Sequence, residues 1–320
     1  MLDRMKFCSK CFIQPKNRDV TFESQENQEG KMLLPKFEFH EPTTVEEACR
    51  MLGELGEKAK TLAGGTDLFV NMKKKVLAPE HVVSLDRIQS LAEMDSKNGT
   101  LRIGACAKAV EIAESDAVKK DFPALQDGAS KLGSPLIRNL ATVGGNLVSA
   151  RPAADFPPPL MAYGAKVVLR SSKEERTVAL ADFIEGPGQT VMAADEILES
   201  ILLEKPEAHS GSAYLKLGVR EALEISLVNV AVLITTEGAD GPIKAARVVM
   251  GSVGPTPLMS PSAEKTLLGK KPSEALFLAA GEAAAMDSRP IDDFRASADY
   301  KRAMVKELTR RALAQAYSEI

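Results

Sequence analysis

The stretch TVGGNLVSARPAADFPPPLMAYGA, residues 142 to 165, constrains this chain more than any other. It holds a glycine pair, four prolines and only two acidic or basic side chains, Arg151 and Asp155. Ordering a backbone of this kind costs about 1–2 kcal/mol per residue, so something must hold it. A second glycine pair stands in LAGGTDL, residues 62 to 68, and both pairs follow stretches of extended character. Glycine admits positive φ and close approach to main-chain N–H groups, and successive N–H groups facing one way form an anion nest. A helix beginning near Thr66 would add its N-terminal dipole. Two such turns beside Thr66, Thr142 and Asn146 suit a diphosphate gripped from both sides, although either alone reads as an ordinary tight turn. Neither has the spacing of a dinucleotide-binding or P-loop glycine motif.

Composition narrows the partners. With 41 basic and 44 acidic side chains the formal charge is −3, which gives no electrostatic case for nucleic acid or an anionic membrane. No run of about 18 apolar residues predicts a membrane span. Four cysteines (Cys8, Cys11, Cys49 and Cys106) without a secretory signal suit a reducing cytoplasm. Cys8 and Cys11 lack a second pair to complete a metal site, and His40, His81 and His209 stand singly, so no metal centre is expected.

Residues 1 to 31 are polar and read as a disordered extension. Gln28-Glu29-Gly30 is encodable as CAG-GAG-GGN, a purine-rich ribosome-binding sequence just before Met32, so we expect this segment to be a leader read as protein. From Met32 the pattern is α+β. TTVEEACRMLGEL is a capped helix, and HVVSLDRI and TLRIGACAKA are strand-like. The helical pattern over 109 to 132 breaks at Pro123. AKVVLRSS with EERTVAL predicts a hairpin, and DEILESILLEKP a strand. From 210 to 320 three strands precede three helices, a small antiparallel sheet with a helical bundle on one side. Pro157, Pro158 and Pro159 predict extended backbone.

LPKFEFHEPTTVEEACRML, AGGTDL, ATVGGNLVSARPAADFPPPLMAYGA, YLKLGVREALEISLVNVAV, GSVGPTP and YKRAMVKELTRRAL occur in this order. Together, from Met32 to the C-terminus, they resemble the FAD-binding medium subunit of the molybdenum hydroxylases, the xanthine dehydrogenase and carbon monoxide dehydrogenase group. The resemblance implies an FAD domain over 32–206 of the type shared with vanillyl-alcohol oxidase, with subdomains of about 32–88 and 89–206 and FAD between them. A separate C-terminal domain over 210–320 would follow. It places the diphosphate on Ala63, Gly64, Gly65, Thr66, Asp67 and Leu68 and on Thr142, Val143, Gly144, Gly145 and Asn146. By the same resemblance Asp155 holds the ribose or adenine end, and Leu132 and Leu198 pack on the flavin or adenine ring. Lys216 then stands near the isoalloxazine, where positive charge favours the anionic reduced flavin; without the resemblance it reads as a solvated strand lysine. The segment 90 to 141 holds only Cys106, so the inserted [4Fe–4S] loop of the 4-hydroxybenzoyl-CoA reductase branch is not expected.

The resemblance further implies partners: a [2Fe–2S] subunit and a molybdopterin-containing large subunit, with an acceptor such as NAD receiving the electrons. Two other functions remain open at this level. One is a non-catalytic assembly protein that keeps the fold. The other is a self-contained flavin oxidase, disfavoured because only about 110 residues follow the FAD region.

Overall fold

Thr44 and Thr43 start the first helix as the sequence predicts. Thr44 Oγ1 accepts from Glu47 N–H at 3.1 Å, and the Glu47 carboxylate accepts from Thr43 N–H at 2.9 Å, a capping pair that satisfies two helix-end donors. The computed structural model describes residues 34–220 and 223–320. The extension 1–31, with Cys8 and Cys11, lies outside them.

The helix, α1 (Val45–Leu55), buries Val45, Ala48, Cys49 and Leu52 against a three-stranded parallel sheet. That sheet has the order β1 (Glu38–His40), β3 (His81–Ser84), β2 (Ala59–Leu62). A short helix, α2 (Leu68–Lys73), follows β2.

Next comes a five-stranded antiparallel sheet, ordered β4 (Met94–Lys97), β5 (Thr100–Gly104), β10 (Ile197–Glu204), β6 (Lys166–Arg170), β7 (Glu175–Ala179). The predicted hairpin is β6 and β7. Strand β4 has no counterpart in the sequence reading. It is polar, and it pairs with β5 through Asn98 and Gly99, both at positive φ (53° and 82°). Helices α3 (Ala109–Glu114), α4 (Asp116–Asp121) and α5 (Pro123–Ser130) cover this sheet, with Pro123 at the first turn of α5. Then come α6 (Pro135–Arg138), α7 (Val143–Val148), α8 (Pro157–Ala162) and α9 (Leu180–Phe183), and a small hairpin of β8 (Ile184–Gly186) and β9 (Gln189–Thr190).

Two expectations need correction here. Pro157, Pro158 and Pro159 are the first turn of a buried helix, not extended chain. Proline lacks only a hydrogen that the first turn does not use, and its fixed φ suits a helix start. The C-terminal sheet has four strands rather than three: β11 (Ser210–Leu217), β12 (Val228–Thr236), β13 (Ile243–Gly251) and a two-residue edge, β14 (Leu258–Met259).

Alternation along β12 sorts the two faces of that sheet. Val228, Val230, Val232 and Ile234 pack with α10 (Pro261–Leu267), α11 (Glu274–Asp287) and α12 (Ala298–Ser318). Ala231, with Tyr214 and Val249 of the neighbouring strands, joins instead the core of the five-stranded sheet, beside Val143, Leu147 and Phe156. Among the described residues no helix is long and apolar enough to cross a membrane.

Candidate functional site

Strand β2 ends at Leu62, and Ala63 to Asp67 turn off it into α2. The N–H groups of Gly64, Gly65, Thr66, Asp67 and Leu68 find no protein acceptor among the described residues; Phe69 N–H is the next to be used, donating to Gly65 O at 3.2 Å. Gly65 has φ +70°, the left-handed region that favours glycine. Gly64 is pressed against the chain before Thr142: a Cβ there would lie 1.8 Å from the Leu140 carbonyl oxygen. Asp67 ties the same two segments together, accepting from Ser149 Oγ and from Arg151 Nη2, both at 3.3 Å. The helix begins at Leu68, not Thr66, so Thr66 and Asp67 leave their N–H groups free ahead of it.

The second glycine pair is built differently. It lies inside α7, with neither glycine at positive φ. Thr142 caps that helix, its Oγ1 accepting from Gly145 N–H at 3.1 Å. Val143 N–H goes to Ala107 O, Gly144 N–H to Ala105 O and Asn146 N–H to Thr142 O. These amides are committed to the protein, so this segment is no open nest. Gly144 serves packing: a Cβ would sit 2.6 Å from Ala105 Cβ and 2.7 Å from its oxygen. Gly145 is exposed, and a Cβ would meet only Thr142 Oγ1, at 2.9 Å. What remains for a ligand is Asn146, whose Oδ1 is buried without a donor among the described residues.

The contrast predicts a graded result. Gly145→Ala is expected to keep its flavin content within about twofold, because alanine suits a helix better than glycine. Gly144→Ala is expected to lower it severalfold and to destabilise the chain by about 1–3 kcal/mol through overpacking. The flavin-to-protein absorbance ratio and thermal melts of both variants decide; equal behaviour would mean that the fit against Ala105 is not what matters.

Asp155 and Lys216, expected at separate places on the cofactor, are bonded to each other at 2.8 Å, with their side chains only 8% and 7% exposed. Tyr214 Oη donates to the other Asp155 oxygen at 2.7 Å. Lys216 Nζ also donates to Lys131 O, while Lys131 Nζ donates to Tyr214 O at 2.9 Å. Burial pushes the Asp155 carboxyl above the ordinary carboxylate range, and Lys216 and Tyr214 pull it back. Burial also drives the Tyr214 phenol far up. Asp155 thus accepts one protein hydrogen bond on each oxygen and keeps acceptor capacity on both, and Lys216 has its charge matched by Asp155. Leu132 and Leu198 both belong to the core of the five-stranded sheet.

Two features were not anticipated. Tyr214 and Lys131 complete the Asp155 network, through contacts between residues 59 to 85 positions apart. His40 and His81, expected to stand apart, meet at 3.2 Å. Cys49 and Cys106 offer no reactive thiol, since burial raises them to about 11 and about 12.

Residues 35–205 match the family model described as the FAD binding domain in molybdopterin dehydrogenase, and 213–316 match the CO dehydrogenase flavoprotein C-terminal domain. The chain belongs to the molybdenum hydroxylase FAD-binding medium-subunit family. It is 32% identical over 287 residues to the carbon monoxide dehydrogenase medium chain of Hydrogenophaga pseudoflava, covering 90% of this chain and 99% of that one. It is 29% identical to the xanthine dehydrogenase FAD-binding subunit of Escherichia coli O157:H7, covering 87% and 95%. Among solved structures, carbon monoxide dehydrogenase from Hydrogenophaga pseudoflava matches with a TM-score of 0.86 at 33% identity, covering 89% of this chain and 99% of that one. Quinoline 2-oxidoreductase from Pseudomonas putida 86 matches with 0.84 at 25%, covering 90% and 99%.

This medium subunit is thus an oxidoreductase flavoprotein whose cofactor is FAD. Its residues fit that group. The free amides from Gly64 to Leu68 suit a diphosphate, and Asn146 Oδ1 lacks the donor that a polyol hydroxyl could give.

Proposed function

We propose that this chain is the electron-transfer subunit of a molybdenum hydroxylase complex, taking electrons from the [2Fe–2S] clusters of a partner, fed in turn by a molybdopterin-containing subunit, and passing them to an external acceptor. The observation that carries the reading is near-complete coverage of medium-subunit relatives together with the free amide row after β2. When bound, FAD supplies the electron exchange, and the protein supplies binding and electrostatics. Gly64 to Leu68 would hold the diphosphate by main-chain N–H groups, and Asn146 would orient the adjoining hydroxyls. The Asp155–Lys216 pair sets the charge beside the site. The two-subdomain arrangement of the vanillyl-alcohol oxidase type, with boundaries near 88 and 206, goes with the same reading, as does action in the cytoplasm. Nothing in the fold or among the relatives favours NAD as the acceptor, and NAD is not part of the proposal.

A partner is required because an iron–sulfur cluster takes four thiolates. Of the four cysteines in the chain, Cys49 and Cys106 are held as thiols of raised pKa. Expressed alone, the chain is expected to carry FAD that acid releases, since no His or Cys stands in either glycine segment. It should hydroxylate nothing by itself, and turnover should appear in proportion to complex formed with iron–sulfur and molybdenum partners. A homogeneous isolated chain that hydroxylates a substrate at about 1 per second or faster sinks the subunit reading. A colourless chain that still completes an active complex would favour an assembly role instead.

A further inference from the structure

We propose that Glu38, His40 and His81 form a divalent-metal site of zinc type that fastens strand β1 to strand β3. Pairing of the two strands puts Glu38 opposite His81, and alternation puts His40 on the same face as Glu38. His81 Nδ1 lies 3.2 Å from His40 Nε2 and 3.3 Å from Glu38 Oε2, and His40 Nε2 lies 4.0 Å from that oxygen. Metal–ligand bonds of about 2.0–2.1 Å in a tetrahedron set ligand atoms about 3.3–3.4 Å apart. Two of the three separations match that edge and the third needs a small side-chain shift.

Hydrogen bonding alone accounts for the cluster poorly. A proton on His81 Nδ1 would be shared between a ring nitrogen and a carboxylate, both at the long end of the hydrogen-bond range. A proton on His40 Nε2 would leave the Glu38 carboxylate facing a lone pair on His81. The two contacts within hydrogen-bond reach both use His81 Nδ1, which has one hydrogen or one lone pair for them, whereas one cation satisfies all three donor atoms.

The ligand set is two imidazole nitrogens and one carboxylate oxygen, which suits zinc. The rings are largely shielded, with side chains 25% and 17% exposed, while Glu38 is 73% exposed. This leaves a fourth position for water. The structural role we assign rests on the strand the site fastens and not on the ligand count, since an open fourth position is unlike the closed set of most structural zinc sites. Strand β1 is three residues long and lies at the edge of its sheet, and such a short edge holds few ladder bonds of its own. The site is also separable from the flavin seat. Ala59 pairs with His81, and the free amides begin five residues further along the chain, roughly 15 Å at strand rise.

The test is zinc titration of chelator-treated full-length protein against a chromophoric indicator, in a Cys8→Ser, Cys11→Ser background that removes competing thiols. We expect about one zinc per chain, a melting temperature raised by zinc, and binding weakened roughly 100-fold by His81→Ala and tenfold or more by Glu38→Gln. The milder His40→Gln guards against loss of fold, and FAD content should be unchanged in every variant. Cobalt should give the visible bands of a tetrahedral site. Zinc stoichiometry and affinity unaltered in a His40→Gln, His81→Ala double variant that still binds FAD would overturn the proposal. So would the absence of binding in the wild-type chain at micromolar zinc.

Discussion

Gly64→Ala is expected to strip the protein of its flavin. The added Cβ would lie 1.8 Å from the Leu140 oxygen, 2.6 Å from its carbonyl carbon and 3.2 Å from Ala141 Cα. These are backbone atoms, so no rotamer change relieves the clash. Either the turn after β2 or the segment entering Thr142 must retreat by an ångström or more. Retreat separates the free amides of Gly64 to Leu68 from Asn146 and strains the Asp67 contacts to Ser149 and Arg151. We expect the flavin-to-protein ratio to fall at least about tenfold, with about 1–3 kcal/mol lost from the folded chain. Gly65→Ala makes an informative companion. Its Cβ meets the movable Phe69 ring at 2.8 Å, and its strain is that of a φ of +70°, which for alanine is about 1 kcal/mol or somewhat more. Flavin retained at full occupancy in Gly64→Ala would show that the amide row is not the diphosphate seat.

Lys216→Ala is expected to give the largest loss of stability, about 3–5 kcal/mol near neutral pH, because it leaves the Asp155 charge buried without its cation. The pH dependence has a definite sign. Burial already holds the Asp155 carboxyl above its unfolded value, so the folded chain takes up this proton at higher pH than the unfolded chain does. The group therefore adds stability at low pH and loses it as pH rises through its folded pKa. Removing Lys216 takes away the opposing pull and moves that loss to higher pH. The gap between variant and wild type should accordingly narrow as pH falls from about 8 to about 5. Denaturant titrations at several pH values measure it. A gap independent of pH would mean that Asp155 is not left as an uncompensated carboxylate. Lys216→Ala, Asp155→Asn should recover part of the loss, since the neutral amide carries no charge to bury.

Much of this architecture was legible from residue order. The alternation of β10, the long apolar β12 and the capped α1 each announce themselves by period and by end residues. The Asn98-Gly99 turn carried a hairpin signal as well, yet β4 is too polar to look like a strand and shows itself only by pairing with β5. Proline at 157 to 159 permits either extended chain or a helix start, and burial of the segment among core side chains chose the helix. The glycine pairs look alike in sequence and differ in the structure. The first pair serves a left-handed turn at Gly65 and a close approach of Gly64 to Leu140, and the second only a close approach to Ala105, distinctions that lie in neighbours 76 and 39 residues away. His40 and His81 meet only because two short strands pair in parallel although α1, β2 and α2 lie between them in the chain, which no local pattern encodes.

The C-terminal sheet faces two cores at once. Val230 and Val232 look toward the helices, and Ala231 looks toward the core that holds Val143 and Leu147 of the second glycine segment. Ser212 meets Tyr163 at 2.6 Å, and Tyr214 reaches Asp155 across the same boundary. The last third of the chain is therefore less an appended module than one wall of the core that holds Val143, Leu147 and Phe156. A nick in the connection near residue 207 would leave two pieces still clasped together, and a chain that stopped there would lay bare the apolar side chains that Tyr214, Ala231 and Val249 now cover.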